Sequence, residues 1–215
     1  MVNRWSSLCL YHEYRRGHLN DLGPNGLNGV AVQPLVWQTF QSGRHVAPAN
    51  GRPSGVASGY VQVADNAALR LATTGTLIVF GNFGPQNGSR WLISKADGAL
   101  WNYIFVVNAT QMMLQDNTGG RVLAYVVPQK TKMLACSFLT ATPAVFYQNG
   151  NRVGVATTPS VIVTGAGPTL QIGNGYGTLY GSDPICTALI FNTQLTDAEI
   201  SDLYCDWLRS RGSLR

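Results

Sequence analysis

The sequence predicts an all-β protein, two antiparallel sheets packed as a sandwich, with one short helix at its C-terminal end. Three observations carry that expectation. Short runs rich in Val, Ile, Tyr, Phe and Thr recur along most of the chain, punctuated by Gly, Asn, Asp and Pro, as strands joined by turns are. One stretch alone, residues 186–209, places apolar residues at helical spacing. And 24 glycines, with 45% hydrophobic but only 12% charged residues, describe an ordered, turn-rich chain. A length of 215 residues fits one domain over 1–215, since all-β sandwiches of that size fold as single units and can bury a two-layer core.

The elements follow in order. Residues 8–14 read as an opening strand, with Arg4, His12, Arg15, Arg16 and His18 in or beside it. Residues 29–38 alternate as a strand, and Pro34 demotes it to an edge or a bulge. Residues 41–58 read as one long Gly/Pro/Asn loop, a length that is functional or mobile in a compact domain. Strands are then expected at 59–63, 76–83, 90–95, 101–107, 111–115, 121–127, 132–139, 144–148, 151–156, 161–164, 169–173 and 185–191. Asn149-Gly150 fits a tight type I′ hairpin, and 116–120 reads as a looser hairpin loop. Residues 164–184 form a Gly-rich turn cluster. Its Gly173-Asn174-Gly175 is no phosphate cradle, because no helix follows it.

The last element carries the sharpest local signal. Thr196 is the natural N-cap and Glu199 falls at N3, so each can satisfy the other's free backbone N–H. Leu195 and Ile200 occupy the flanking staple positions. Ile200, Leu203, Tyr204, Trp207 and Leu208 make one apolar stripe, and Gly212 supplies a stop. The helix is expected to cap an edge or an end of the core.

These residues resemble a known family. N-T-Q-L-T-D-A-E-I-S-D-L-Y (192–204), following a last strand, is similar to the end of laminin-G-like domains of the concanavalin A-like superfamily. D-L-G-P-N-G-L-N-G (21–29), G-Y-V-Q-V-A-D-N-A-A-L (59–69), T-L-I-V-F (76–80), W-L-I-S-K (91–95) and V-F-Y-Q-N-G-N-R-V (145–153) match its other motifs in order. The tryptophan that often precedes the 145–153 hairpin is missing, with Met133 thereabouts. The resemblance implies a concanavalin A-like jelly roll whose first strand lies beside its last. It also makes Cys186–Cys205 the disulfide to consider, as in secreted relatives. Leu8–Tyr11 is too short an apolar run for an export signal, so free thiols at Cys9, Cys136, Cys186 and Cys205 are expected.

Several chemistries are disfavoured. Glycosidases of the superfamily need paired carboxylates, and this chain has only two glutamates, Glu13 and Glu199, with no acids paired along a strand. Asp65, Asp97, Asp116 and Asp183 fall in or beside loops without the clustering that calcium wants, and read as turn residues. No C-x-x-C or G-x-S-x-G occurs. No nucleic-acid reader motif and no membrane span is present. No enzyme activity, cofactor or metal is expected.

What remains is surface. Trp37, Phe40, Tyr60, Trp91, Trp101, Tyr103, Tyr176 and Tyr180 are plentiful aromatics. Trp91 and Trp101 belong in the core, while Tyr176 and Tyr180, with Asn174, are the candidates to stack on and bond a sugar. Arg4, Arg15, Arg16, Arg209, Arg211 and Arg215 cluster near the two ends of a chain of net charge +5, and arginine suits bidentate contact with acidic partners. Two readings follow. The favoured one is a non-catalytic assembly module, an accessory protein of a virion capsid or tail, such as that of a bacteriophage. It would be made in the cytoplasm, would dock through the arginines and could form a homo-oligomer. The alternative is a free-standing lectin for a cell-surface glycan.

Overall fold

The structure, a computed structural model, describes residues 4–14, 19–32, 35–40, 43–48, 60–71, 73–85, 89–97, 100–116, 119–162, 165–173 and 185–210. Its strands form two antiparallel sheets, which we call the back and front sheets. The back sheet has eight strands in the order β13 (Asn151–Pro159), β12 (Pro143–Gln148), β11 (Thr131–Leu139), β6 (Thr74–Phe83), β15 (Ile185–Phe191), β4 (Gly43–Pro48) and β3 (Leu35–Phe40), with β1 (Leu8–Glu13) also on β15. The front sheet has seven: β10 (Gly119–Ala124), β9 (Gln111–Asp116), β8 (Trp101–Val107), β7 (Arg90–Ala96), β14 (Leu170–Ile172), β5 (Tyr60–Val63) and β2 (Gly29–Val32).

Alternation along each strand divides the side chains. Leu77 and Val79 of β6, Leu134 and Cys136 of β11 and Ala188 and Ile190 of β15 face the front sheet. They meet Val61, Val63, Tyr103, Phe105, Leu114 and Leu170 in one core. As the resemblance implies, the first strand lies beside the last, from Leu8 opposite Phe191 to Glu13 opposite Thr187. The Asn192 amide extends that contact by donating to the Ser7 carbonyl at 2.9 Å.

Several expectations need correction. The segment 29–38 is two strands in different sheets, β2 and β3, and not the single strand expected. Residues 41–58 are not one loop: Gly43–Pro48 forms β4, paired along its length with β3. No strand occupies 161–162. There the Val161 amide donates to the Asp116 carboxylate at 3.0 Å instead of to a neighbouring strand. Of the stretch 116–120 expected as a hairpin loop, Asp116 and Gly119–Gly120 are instead paired residues of β9 and β10. The expected I′ turn is present, with positive φ at Asn149 (50°) and Gly150 (78°). Asn149 Oδ1 also accepts from the Lys132 and Met133 amides.

The helix α1 (Asp197–Ser210) does not cap an edge. It lies over the outer face of the back sheet and builds a second apolar layer there. Ile200, Leu203 and Trp207 pack with Ile78 and Phe80 of β6, Met133 and Ala135 of β11, and Leu189 and Phe191 of β15. The rings of Trp207 and Phe80 stack at 4.9 Å. The cap forms as read: the Thr196 amide donates to Glu199 Oε2 at 2.8 Å, and the Glu199 amide to Thr196 Oγ1 at 3.3 Å. Met133, where the family's tryptophan is missing, is buried under this helix.

Candidate functional site

The acids come first, because a catalytic reading depends on them. Asp65 accepts from Lys95 Nζ and Arg70 Nη2, each at 2.5 Å, and from the Gly167 amide. The Arg70 guanidinium first, then Lys95 and the amide, hold its carboxyl well below the usual carboxylate range. Lys95 is fully buried and also donates to the Pro168 carbonyl. Asp116, buried, takes Arg121 in a two-point contact at 3.1 and 3.2 Å. These two are salt-bridge residues, a correction to their reading as turn acids. Asp97 does serve a turn, accepting from the Leu100 amide. Asp21 ties the 19–28 loop to β1 through the Tyr11, Gly23 and Leu27 amides. Asp197 accepts from the Tyr147 hydroxyl, and Glu13 from the Thr187 hydroxyl. Each has structural work, and no group of three or more His, Cys, Asp or Glu that could hold a metal exists among the described residues.

The proposed site residues fare unevenly. Tyr176, Tyr180 and Asn174 lie outside the described residues, as do Arg15, Arg16, Arg211, Arg215 and Asp183. Arg4 begins a short 3₁₀ turn ahead of β1, close in sequence to the Ser7–Asn192 contact. Arg209, on α1, is engaged by Asp206 at 2.9 Å, so part of its charge is answered within the helix. All four cysteines are free, and burial pushes the Cys9 thiol up to about 11.

The outer face of the front sheet holds what the sequence did not reveal. Strand register sets Val30, Gln62, Gln171, Ser94, Ile104 and Gln115 side by side across β2, β5, β14, β7, β8 and β9. Residues directly opposite in antiparallel strands project to the same face, so these six form one transverse row. Its span from Gln62 to Gln115 is roughly 19 Å, four strand spacings. Beside it lie Trp91 and Val106, a buried apolar cluster with Ile104 and Ala96 on which the partly buried Met113 packs. Trp91 is therefore buried, as expected, but on the outer face and not between the sheets.

The row is polar and incompletely satisfied. Gln62 Nε2 donates to Thr169 Oγ1 at 2.8 Å. Ser94 Oγ and Gln171 Oε1, on neighbouring strands, are buried with no hydrogen-bond partner among the described residues. Buried polar atoms are nearly always paired, and the Ser137, Thr140 and Ser160 hydroxyls elsewhere in the sandwich are in the same state. Asn102, in contrast, is fully used, bonding the Gly165 carbonyl and amide at 3.0 and 3.1 Å. Such a face can donate, accept and pack against apolar surface. None of the six residues named in the row is an acid or a base.

No protein-family model matches the chain, and no curated protein matches it in sequence. Solved structures do share its fold, a β-sandwich found in binding domains. Botulinum neurotoxin type C, which depends on two ganglioside molecules to enter cells, superposes with a TM-score of 0.70 at 13% identity, over 96% of this chain and 53% of that one. The binding domain of Paraclostridial Mosquitocidal Protein 1 gives 0.70 at 10% identity, over 96% and 53%. Domain 4 of an extracellular arabinanase from Geobacillus stearothermophilus, in complex with arabinotriose, gives 0.65 at 13%, over 92% of this chain and 98% of that domain. The chain thus spans about half the length of the toxin chains it matches. At these identities the likeness is one of fold alone.

Proposed function

We infer that this chain is a non-catalytic binding module of the laminin-G-like kind whose ligand is a glycan. One observation carries the reading: the outer face of the front sheet sets the partly exposed Gln62, Gln171 and Gln115 in one transverse row, while the described acids named above are held by structural partners. A face of that composition binds hydroxyl-rich ligands and has no paired carboxylates with which to hydrolyse them. The ganglioside dependence of one structural neighbour and the arabinotriose complex of another support the same reading. Screening the purified protein against a glycan array, followed by turnover assays on each ligand found, tests it. Binding without hydrolysis is the expected result. An array with no ligand, or turnover of a bound glycan, overturns it.

A second reading is favoured by the pairing of β1 with β15, which sets the first and last strands side by side. A subunit of a larger particle, such as a virion, would dock there through Arg4, Arg15, Arg16, Arg209, Arg211 and Arg215. Reversing Arg15, Arg16 and Arg211 to Glu should then weaken docking to a co-purifying partner and flatten its salt dependence. Unchanged docking would dispose of this reading.

A further inference from the structure

We propose that Asn25 is a modification site: in the folded chain its side-chain amide is lost spontaneously, through attack by the Gly26 backbone nitrogen, and a carboxylate replaces it. Water is the one co-reactant.

The site follows from a comparison within the molecule. Asn-Gly occurs at 25–26, 28–29, 50–51, 87–88, 149–150 and 174–175, and the pairs at 25, 28 and 149 lie among the described residues. Glycine has no side chain to screen its nitrogen and lets the backbone turn freely, so the fold decides which pair reacts. Asn149 Oδ1 is held by the Lys132 and Met133 amides at 2.8 and 3.1 Å, and Gly150 is buried against Tyr204 and Ser201. Asn28 Oδ1 accepts from the Asp21 amide at 2.9 Å, and the Gly29 nitrogen donates to the Leu19 carbonyl at 2.8 Å. Both pairs must open locally before they can cyclise. Asn25 and Gly26 are both exposed, and a Cβ added at Gly26 would meet nothing within 4 Å. The Gly26 amide donates to nothing among the described residues, and what ties Asn25 there is Nδ2 donating to the Cys9 carbonyl at 2.8 Å.

The chemistry balances with water. The bond from Gly26 N to Asn25 Cγ forms as the bond from Cγ to Nδ2 breaks, and ammonia leaves with the proton of the Gly26 nitrogen. Water then opens the cyclic imide. Cleavage at Cγ leaves aspartate at 25, and cleavage at the backbone carbonyl leaves isoaspartate. Either product carries a carboxylate, which accepts hydrogen bonds and donates none. The Cys9 carbonyl lies where the register of β1 on β15 shifts. It loses its Asn25 donor and faces a negative charge instead, so conversion loosens the 19–28 loop from β1.

The full chain is held folded at mildly alkaline pH in heavy-oxygen water, beside a sample unfolded in guanidinium, and each Asn-Gly peptide is followed by mass spectrometry. The pairs at 50, 87 and 174, outside the described residues, are mapped as separate peptides. In the folded sample Asn25 is expected to convert several-fold faster than Asn28 and Asn149, taking up one labelled oxygen per event. In guanidinium the three rates are expected to converge. Equal rates in the folded sample overturn the proposal, and so does an Asn25 lead that persists unchanged in guanidinium, since the fold would then not select the site. Asn25→Asp, the product of the reaction, is expected to melt below the parent, and a melt at or above the parent's overturns the consequence drawn for β1.

Discussion

The two sheets differ on their outer faces, and the difference separates stability from binding. The back face carries Ile78, Phe80, Met133, Ala135, Leu189 and Phe191, and α1 covers them with a matching apolar stripe. The front face carries Gln62, Gln171, Ser94 and Gln115 in one row, with two polar atoms left without partners. The first face is covered by the chain itself, although the Ser137 hydroxyl on it also has no partner among the described residues. Natural proteins tolerate the other kind of face where function repays its cost in stability.

The largest expected effect lies on the back face. Trp207→Ala removes the ring stacked on Phe80 and should cost about 3–5 kcal/mol in denaturant unfolding. A change within error would mean that the helix is not docked and the contrast between the faces fails. A comparable loss is expected on the inner side of the front sheet. Asp65→Ala strands the buried Lys95 ammonium and should also cost about 3–5 kcal/mol, whereas Lys95→Met should cost less because no buried charge is left over. This loss depends on pH. The folded Asp65 carboxyl titrates below its unfolded value of about 3.9, so its contribution is complete above that pH and disappears as pH falls through the lowered folded value. Melting of parent and Asp65→Ala should accordingly converge in acid; a constant gap from pH 7 to pH 2 would exclude the ion pair as the cause. Thr196→Ala, which removes the N-cap of α1, should cost only about 1 kcal/mol, and a loss as large as that of Trp207→Ala would show that the cap organises more than one helical turn.

The two faces were not equally legible in the sequence. Everything on α1 is local: cap, staple and stripe lie within residues 195–208, so periodicity alone exposes them. The strands and the Asn149-Gly150 turn were legible for the same reason. What the helix covers was not, because residues 78, 80, 133, 135, 189 and 191 become one surface only through strand order. The same holds more strongly for the polar row, whose members lie on four strands scattered between residues 62 and 171. Asp65 and Asp116 misled because their loop positions suit turns, while their salt bridges depend on Lys95, Arg70 and Arg121 arriving alongside. β4 was hidden by its flanking Gly43 and Pro48, which read as loop residues although the four between them suit a strand.

The most direct test of the contrast is a paired melt of Ser94→Ala and Trp207→Ala against the parent, without ligand. The expected result is a large drop for Trp207→Ala and an unchanged or higher melting temperature for Ser94→Ala, whose hydroxyl has no protein partner. A clear drop for Ser94→Ala would show that this hydroxyl serves the fold, and the contrast between the two faces would fail.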